Sequence, residues 1–155
     1  MQPTHNMQVT YGQGFGFAKS MRSRVETLQE TLRTMPQYEP ATKHYFHAGM
    51  YCREVFREAG VLIIGKVHKQ EHFYIIASGT VMVTTDDGVE YLTGPAVVMS
   101  KPGTKRAVCA ITDATCMTFH VTTAKTPKDA EMELVEQDFT AMLDFDNKVK
   151  KEVLQ

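Results

Sequence analysis

The 155-residue sequence has no tryptophan and only three cysteines, Cys52, Cys109 and Cys116, at irregular spacing. A disulfide framework needs paired cysteines and an oxidising compartment, so these thiols point to a reducing one, and the cytoplasm is the expected location. Cys109 and Cys116 fall in strand-like runs and read as core packing rather than redox or metal chemistry. No apolar run approaches the ~18 residues that span a bilayer, which argues against a membrane role. Met1-Gln2-Pro3 opens without the basic segment and apolar stretch of a signal peptide. Basic charge is not in excess either: the net charge is −1, whereas polymeric nucleic acid is bound by basic surfaces. What is present, 43% hydrophobic and 23% charged residues, is ordinary for a globular chain of one domain with flanking helices. The charges are segregated, since residues 1–43 lean basic and residues 121–155 lean acidic. Such ends suit either contact between subunits of a homo-oligomer or two solvated helix faces.

Residues 1–16 form a polar arm in which Gly12, Gly14 and Gly16 alternate with other residues. No strand precedes them, so a phosphate-gripping loop is not expected. From Phe17 to Met35, Met21, Val25, Leu28, Leu32 and Met35 recur at steps of four and three, which predicts a helix with one apolar stripe. Pro36 ends it. The stripe needs a cover, either the outside of the following domain or, as the favoured reading, a second copy of the chain. Gln37–Lys43 reads as a linker, and short strand-like runs with turns between them then extend to Val121. His44 and His47 read as edge or surface residues. Asp86-Asp87-Gly88 is a hairpin signal, while Gly94-Pro95, Pro102-Gly103 and Thr112-Asp113 mark further turns. This spacing of strands and turns predicts a jelly roll or related sandwich. Thr126, Pro127 and Asp129 supply a helix N-cap, a first-turn proline and a capping-box acid. That helix is expected to reach Leu143, packing through Leu134, Val135, Phe139, Met142 and Leu143, with residues 144–155 fraying or extending it. The expected organisation is therefore 1–43 as arm and helix, 44–122 as β-barrel, and 123–155 as a helical segment.

The sequence GKVHKQEHFYIIASG, residues 65–79, places Lys66, His68 and His72 on one face if the strand pleat runs through it. Tyr74 continues that face. Here the chain resembles the cupin family, whose first motif has a glycine before a His-x-His pair, a glutamate shortly after, and a closing glycine. Counting back from Gly79, His72 takes the place of the glutamate, His68 that of the second histidine, and Lys66 that of the first. The second motif is matched by Gly94 and by Pro102-Gly103-Thr104-Lys105-Arg106, with Arg106 where the last metal-binding histidine belongs. His68 alone keeps the type of a family metal ligand. The resemblance covers roughly residues 44–122 and implies a mainly β, single jelly-roll barrel flanked by an N-terminal and a C-terminal α-helix. GKVHKQEH, TDDG and PGTKR also look like a group of small cupin-like proteins encoded by bacteriophages, which would place the chain in a host cytoplasm.

Lysine and arginine offer a metal no lone pairs, and their charge opposes it, so no cofactor is expected. His68, His72 and His120 would be the ligands if zinc were bound. The same residues suit an anion: Lys66, His68, His72, Arg106 and His120 as donors, with Tyr74 as a surface for a base. The alternative is that Lys66 and Arg106 pair internally with acids such as Glu54 or Glu71. The first functional reading is a binding protein that captures a small anion, a nucleotide by preference, as a phage protein sequestering a host nucleotide immune signal would. The second is an enzyme: a metal-independent phosphodiesterase using His68 and His72 as base and acid, or a metal-dependent cupin enzyme. The third is a phage structural or assembly protein that oligomerises through its terminal helices.

Overall fold

A computed structural model describes residues 19–151; the glycine-rich arm and Phe17 lie outside them. Nine strands follow an N-terminal helix, α1 (Met21–Leu32), and precede a second helix, α2 (Pro127–Leu134). The strands are β1 (Thr42–His47), β2 (Met50–Arg57), β3 (Leu62–Ile64), β4 (His72–Ser78), β5 (Thr80–Thr85), β6 (Gly88–Thr93), β7 (Ala96–Ser100), β8 (Ala107–Ala110) and β9 (Ala114–Val121). They form a five-stranded sheet, β1-β2-β9-β4-β7, and a four-stranded sheet, β3-β8-β5-β6. All pairings are antiparallel. The expected jelly roll is therefore the observed fold.

Between the sheets, Ile76 and Cys116 from one side meet Val81, Val83, Val108 and Ala110 from the other in an apolar core. Period-two alternation puts these residues inside. The other face of the five-stranded sheet is unusual, because the cross-strand row Tyr45–Cys52–Phe119–Phe73–Met99 runs across its outside. Phe73 and Met99 there are largely exposed.

The chain crosses from one sheet to the other at Gly79, whose φ of +81° falls in the left-handed region. A Cβ there would lie 2.1 Å from the Asp113 carbonyl oxygen. The Asp86-Asp87-Gly88 hairpin forms around Asp86 and Asp87, with Gly88 already paired to Thr85 as the first residue of β6.

Helix α1 starts at the Ser20 N-cap, whose side chain accepts from the Ser23 amide. It buries Val25 and Gln29 within this chain, while Met35, at the end of the apolar stripe, stays half-exposed. Arg22 pairs with Glu136 at 2.8 Å, and Gln29 Nε2 donates to Asp138 and Thr140. The basic and acidic ends of the sequence thus meet within one molecule.

Helix α2 begins as expected, with Thr126 accepting from the Asp129 amide and Pro127 in the first turn. It ends at Leu134 instead of running to Leu143. Past it, Asp138 Oδ1 accepts from the Thr140 amide, and Asp144 Oδ1 accepts from the Asp146 and Lys148 amides. These local side-chain bonds replace the helical ones. Phe139, expected on the packing face, is consequently 83% exposed. Residues 135–151 form a strap along the barrel, bridged to His68 at Val135 and folded back on itself at Leu143 and Val149. Ala130 and Leu134 are buried against Tyr51, so α2 closes one end of the barrel. No helix among the described residues is long and apolar enough to cross a membrane.

Gly79→Ala is expected to cost at least about 3 kcal/mol of unfolding free energy, and Gly49→Ala, at φ +72° with open space around it, about 1–2 kcal/mol. Urea denaturation midpoints measure both; equal losses would contradict the tight sheet-to-sheet crossing.

Candidate functional site

The inward positions of β2 are Tyr51, Arg53, Val55 and Arg57, set by the same alternation that fills the core. Cross-strand register then builds rows. Tyr51 faces His120, His72 faces Ser100, and Arg53 faces Thr118, which in turn faces Tyr74. Moving along the barrel, the apolar row of Val55, Cys116 and Ile76 gives way to these polar rows. The chain between β3 and β4 was expected to be pleated through Lys66 and His68. It is irregular there apart from the His68–Val135 bridge, yet it still delivers His68 to the same chamber.

His68, His72 and His120 come together: their ring centroids lie 4.2, 4.6 and 4.7 Å apart. Burial, reinforced by the neighbouring cations and imidazoles, lowers the His68 pKa to about 2 and that of His120 to about 3, and burial also lowers His72. All three are thus neutral imidazoles with lone pairs, and one nitrogen from each lies within 4.8 Å of the others. Tetrahedral zinc holds imidazole nitrogens at about 2.0–2.1 Å and therefore ~3.4 Å from one another. The three neutral imidazoles are the donor type a divalent ion takes, gathered on one spot, and they leave a coordination position open.

Four cationic side chains line the same chamber, a cavity of about 80 Å³: Arg53, Arg57, Lys66 and Arg106. Lys66 Nζ pairs with Glu131 Oε2 on α2 at 2.6 Å, not with Glu54 or Glu71. Burial lowers the Lys66 pKa, and Glu131 opposes that shift. Arg106 Nη1 donates to Ser100 Oγ, and the guanidinium lies 5.6 Å over the Tyr74 ring. Arg106 thus covers one face of the Tyr74 ring. Its buried phenol is pushed well above the ordinary range. Arg53 Nη2 donates to Asn147 Oδ1 at 2.6 Å.

Arg53 and Arg57 escaped the sequence reading, although Arg53-x-Val55-x-Arg57 has the period of a strand face. Arg57 is 7% exposed. Among the described residues nothing accepts from Arg57 Nε or Nη1, Arg53 Nε or Arg106 Nε. The Tyr74 hydroxyl and Thr118 Oγ1 are likewise without partners. Arginine stays charged even when burial lowers its pKa, so the chamber holds positive charge beyond what Glu131 offsets. His44, expected at an edge or the surface, lies on the edge strand β1 with its ring held between the Tyr51 hydroxyl at 2.7 Å and Asp146 at 2.8 Å.

No family model matches the chain, and no curated protein matches its sequence. Among solved structures it is similar to salicylate 1,2-dioxygenase from Pseudoaminobacter salicylatoxidans, at 13% identity and a TM-score of 0.50 over 64% of this chain. That match covers 31% of the dioxygenase, so this chain spans about a third of its length. A cupin superfamily protein from Desulfitobacterium hafniense is similar at 12% identity and a TM-score of 0.48, over 70% of this chain and 94% of that one. The cupin domain of Cnp3 from Schizosaccharomyces pombe is similar at 15% identity and a TM-score of 0.48, over 59% of this chain and 71% of that one. The likeness is one of fold: two facing antiparallel sheets closed as a cupin-type jelly roll.

Folding into neutral burial depresses His68 and His120 below the ordinary value of 6.5. The unfolded chain then takes up protons first as pH falls, so their contribution is complete above ~7 and is lost below ~6.5, at about 1.4 kcal/mol per pH unit for each. Metal-free protein is expected to lose Tm steeply between pH 7 and pH 5, and His120→Gln to show a shallower loss. Identical slopes in both proteins would show that these imidazoles are not held neutral.

Proposed function

We propose that the barrel interior captures the anionic group of a small molecule. The observation that carries this reading is Arg57, buried to 7% exposure with two guanidinium nitrogens unpartnered, beside Arg53 and Arg106 with one each. Leaving buried charged donors without acceptors costs about 1–3 kcal/mol or more apiece. An oxyanion supplies acceptors in the fork geometry that guanidinium prefers. A cavity of about 80 Å³ suits a phosphate or carboxylate rather than a whole drug-sized ligand, for which ~300 Å³ or more is usual. A nucleotide would therefore place its phosphate inside and its nucleoside beyond the barrel. The resemblance to phage cupin-like proteins carries a fold and no activity; were the chain viral, such capture in a host cytoplasm by a homo-oligomer would serve to sequester a host nucleotide immune signal.

A second reading is favoured by the three convergent imidazoles. His68, His72 and His120 would hold a divalent ion, which would supply a Lewis-acid centre when bound. Arg53 and Arg106 would orient an anionic substrate toward it, making the protein a metal-dependent cupin enzyme.

Native mass spectrometry and calorimetry with inorganic phosphate, AMP and a cyclic dinucleotide test capture, with metal content recorded in the same spectra. Arg57→Met and Arg106→Met are expected to weaken phosphate binding by at least about tenfold. Lys66→Met is expected to weaken it less, because Glu131 already offsets that charge. Arg57→Met should also raise the Tm of the ligand-free protein, since an uncompensated buried charge is removed. Absence of phosphate and nucleotide binding by the parent protein, or unchanged affinity in both arginine variants, would overturn the reading. Turnover of the nucleotide with stoichiometric metal would establish the enzyme instead.

A further inference from the structure

A larger cavity, about 380 Å³, adjoins the chamber on the flank of the barrel. It lies between β2 and β3, the chain leaving α1, and the strap at Ala141–Asn147. Arg53, Arg57 and Lys66 line both spaces. They therefore form a shared cationic floor.

The walls above that floor are apolar, with Leu32, Met35, Ile63, Met142 and Leu143 among them. Of the polar side chains at the rim, Tyr38 has no hydrogen-bond partner among the described residues, while the amide nitrogens of Gln29, Gln37 and Asn147 are engaged. Gln29 Nε2 donates to Asp138 and Thr140, and Gln37 Nε2 donates to the Leu32 and Met35 carbonyls. Asn147 accepts from Arg53 and donates to Thr42 Oγ1. Among the described residues, the fully buried donors of this cleft left without a partner are on the floor, at Arg57 Nε and Nη1 and at Arg53 Nε.

We infer that this cleft is a second subsite, which takes the apolar or aromatic body of a phosphate or carboxylate whose charged head sits on Arg53 and Arg57. It rests on the anion-capture reading and specifies the kind of molecule that carries the anion. Hydroxyl groups of a polyhydroxy body would lose water against Leu32, Ile63 and Met142 without gaining hydrogen bonds. An aryl or alkyl body loses nothing there and removes apolar wall from water. The volume is in the range that holds a small organic ligand.

Calorimetry with inorganic phosphate, glycerol phosphate and phenyl phosphate tests the cleft separately from the chamber. Phenyl phosphate is expected to bind at least about tenfold more tightly than glycerol phosphate. Met142→Gln, in the wall, and Met35→Ser, at the half-exposed lip where folding is not at stake, should remove most of that advantage and leave inorganic phosphate affinity unchanged. Equal affinities for the two esters, with inorganic phosphate still bound, would overturn the cleft and leave anion capture standing. So would an aryl advantage untouched by both substitutions. Failure of all three ligands to bind would overturn anion capture itself.

Discussion

The ion pair between Lys66 and Glu131 ties the segment after β3 to α2, and it offsets part of the positive charge that the interior gathers. Four cations face one chamber, and like charges at such separations in low dielectric repel strongly. Among the described residues, Glu131 is the carboxylate paired with any of them. It can reach Lys66 only because α2 lies across the barrel end, anchored by Ala130 and Leu134 on Tyr51. The helix therefore does two jobs with two faces. One face buries apolar surface, and the other carries a negative charge into a positive interior.

The interior is divided along the barrel axis. At the apolar end, Ile76, Val81 and Val83 are essentially inaccessible and supply the packing that holds the sheets together. At the other end, neutral histidines and arginines sit in conditions that oppose folding. Stability generated in the first region offsets the cost of preorganising the second.

Much of this was legible in the sequence wherever period and turn chemistry acted locally. Strand spacing indicated the jelly roll, Gly79 and Gly103 fell at real turns, and parity put His72 and Tyr74 on inward positions. What escaped depended on distance in sequence or on competing local bonds. Glu131 meets Lys66 across 65 positions, and no pattern near Lys66 announces it. Arg53 and Arg57 were legible in principle, because their two-residue period matches Tyr51 and Val55, but charge masked an inward strand face. The early end of α2 followed from Asp138 and Asp144 folding back on their own backbones, which helical periodicity in Leu134, Val135 and Met142 concealed. His44 looked peripheral because Asp146, its partner, belongs to the strap.

The strap is attached differently from the rest of the molecule. Its ties to the body are largely polar: Arg22 to Glu136, Gln29 and Lys105 to Asp138, His44 to Asp146, and Arg53 to Asn147. Such bonds exchange with water at little net cost, whereas the sheet core does not. Because the strap forms one wall of the flank cleft and Asn147 grips Arg53, its detachment would widen the cleft and release a guanidinium in a single event. The strap's position and the freedom of the Arg53 guanidinium are in this way linked through one hydrogen bond.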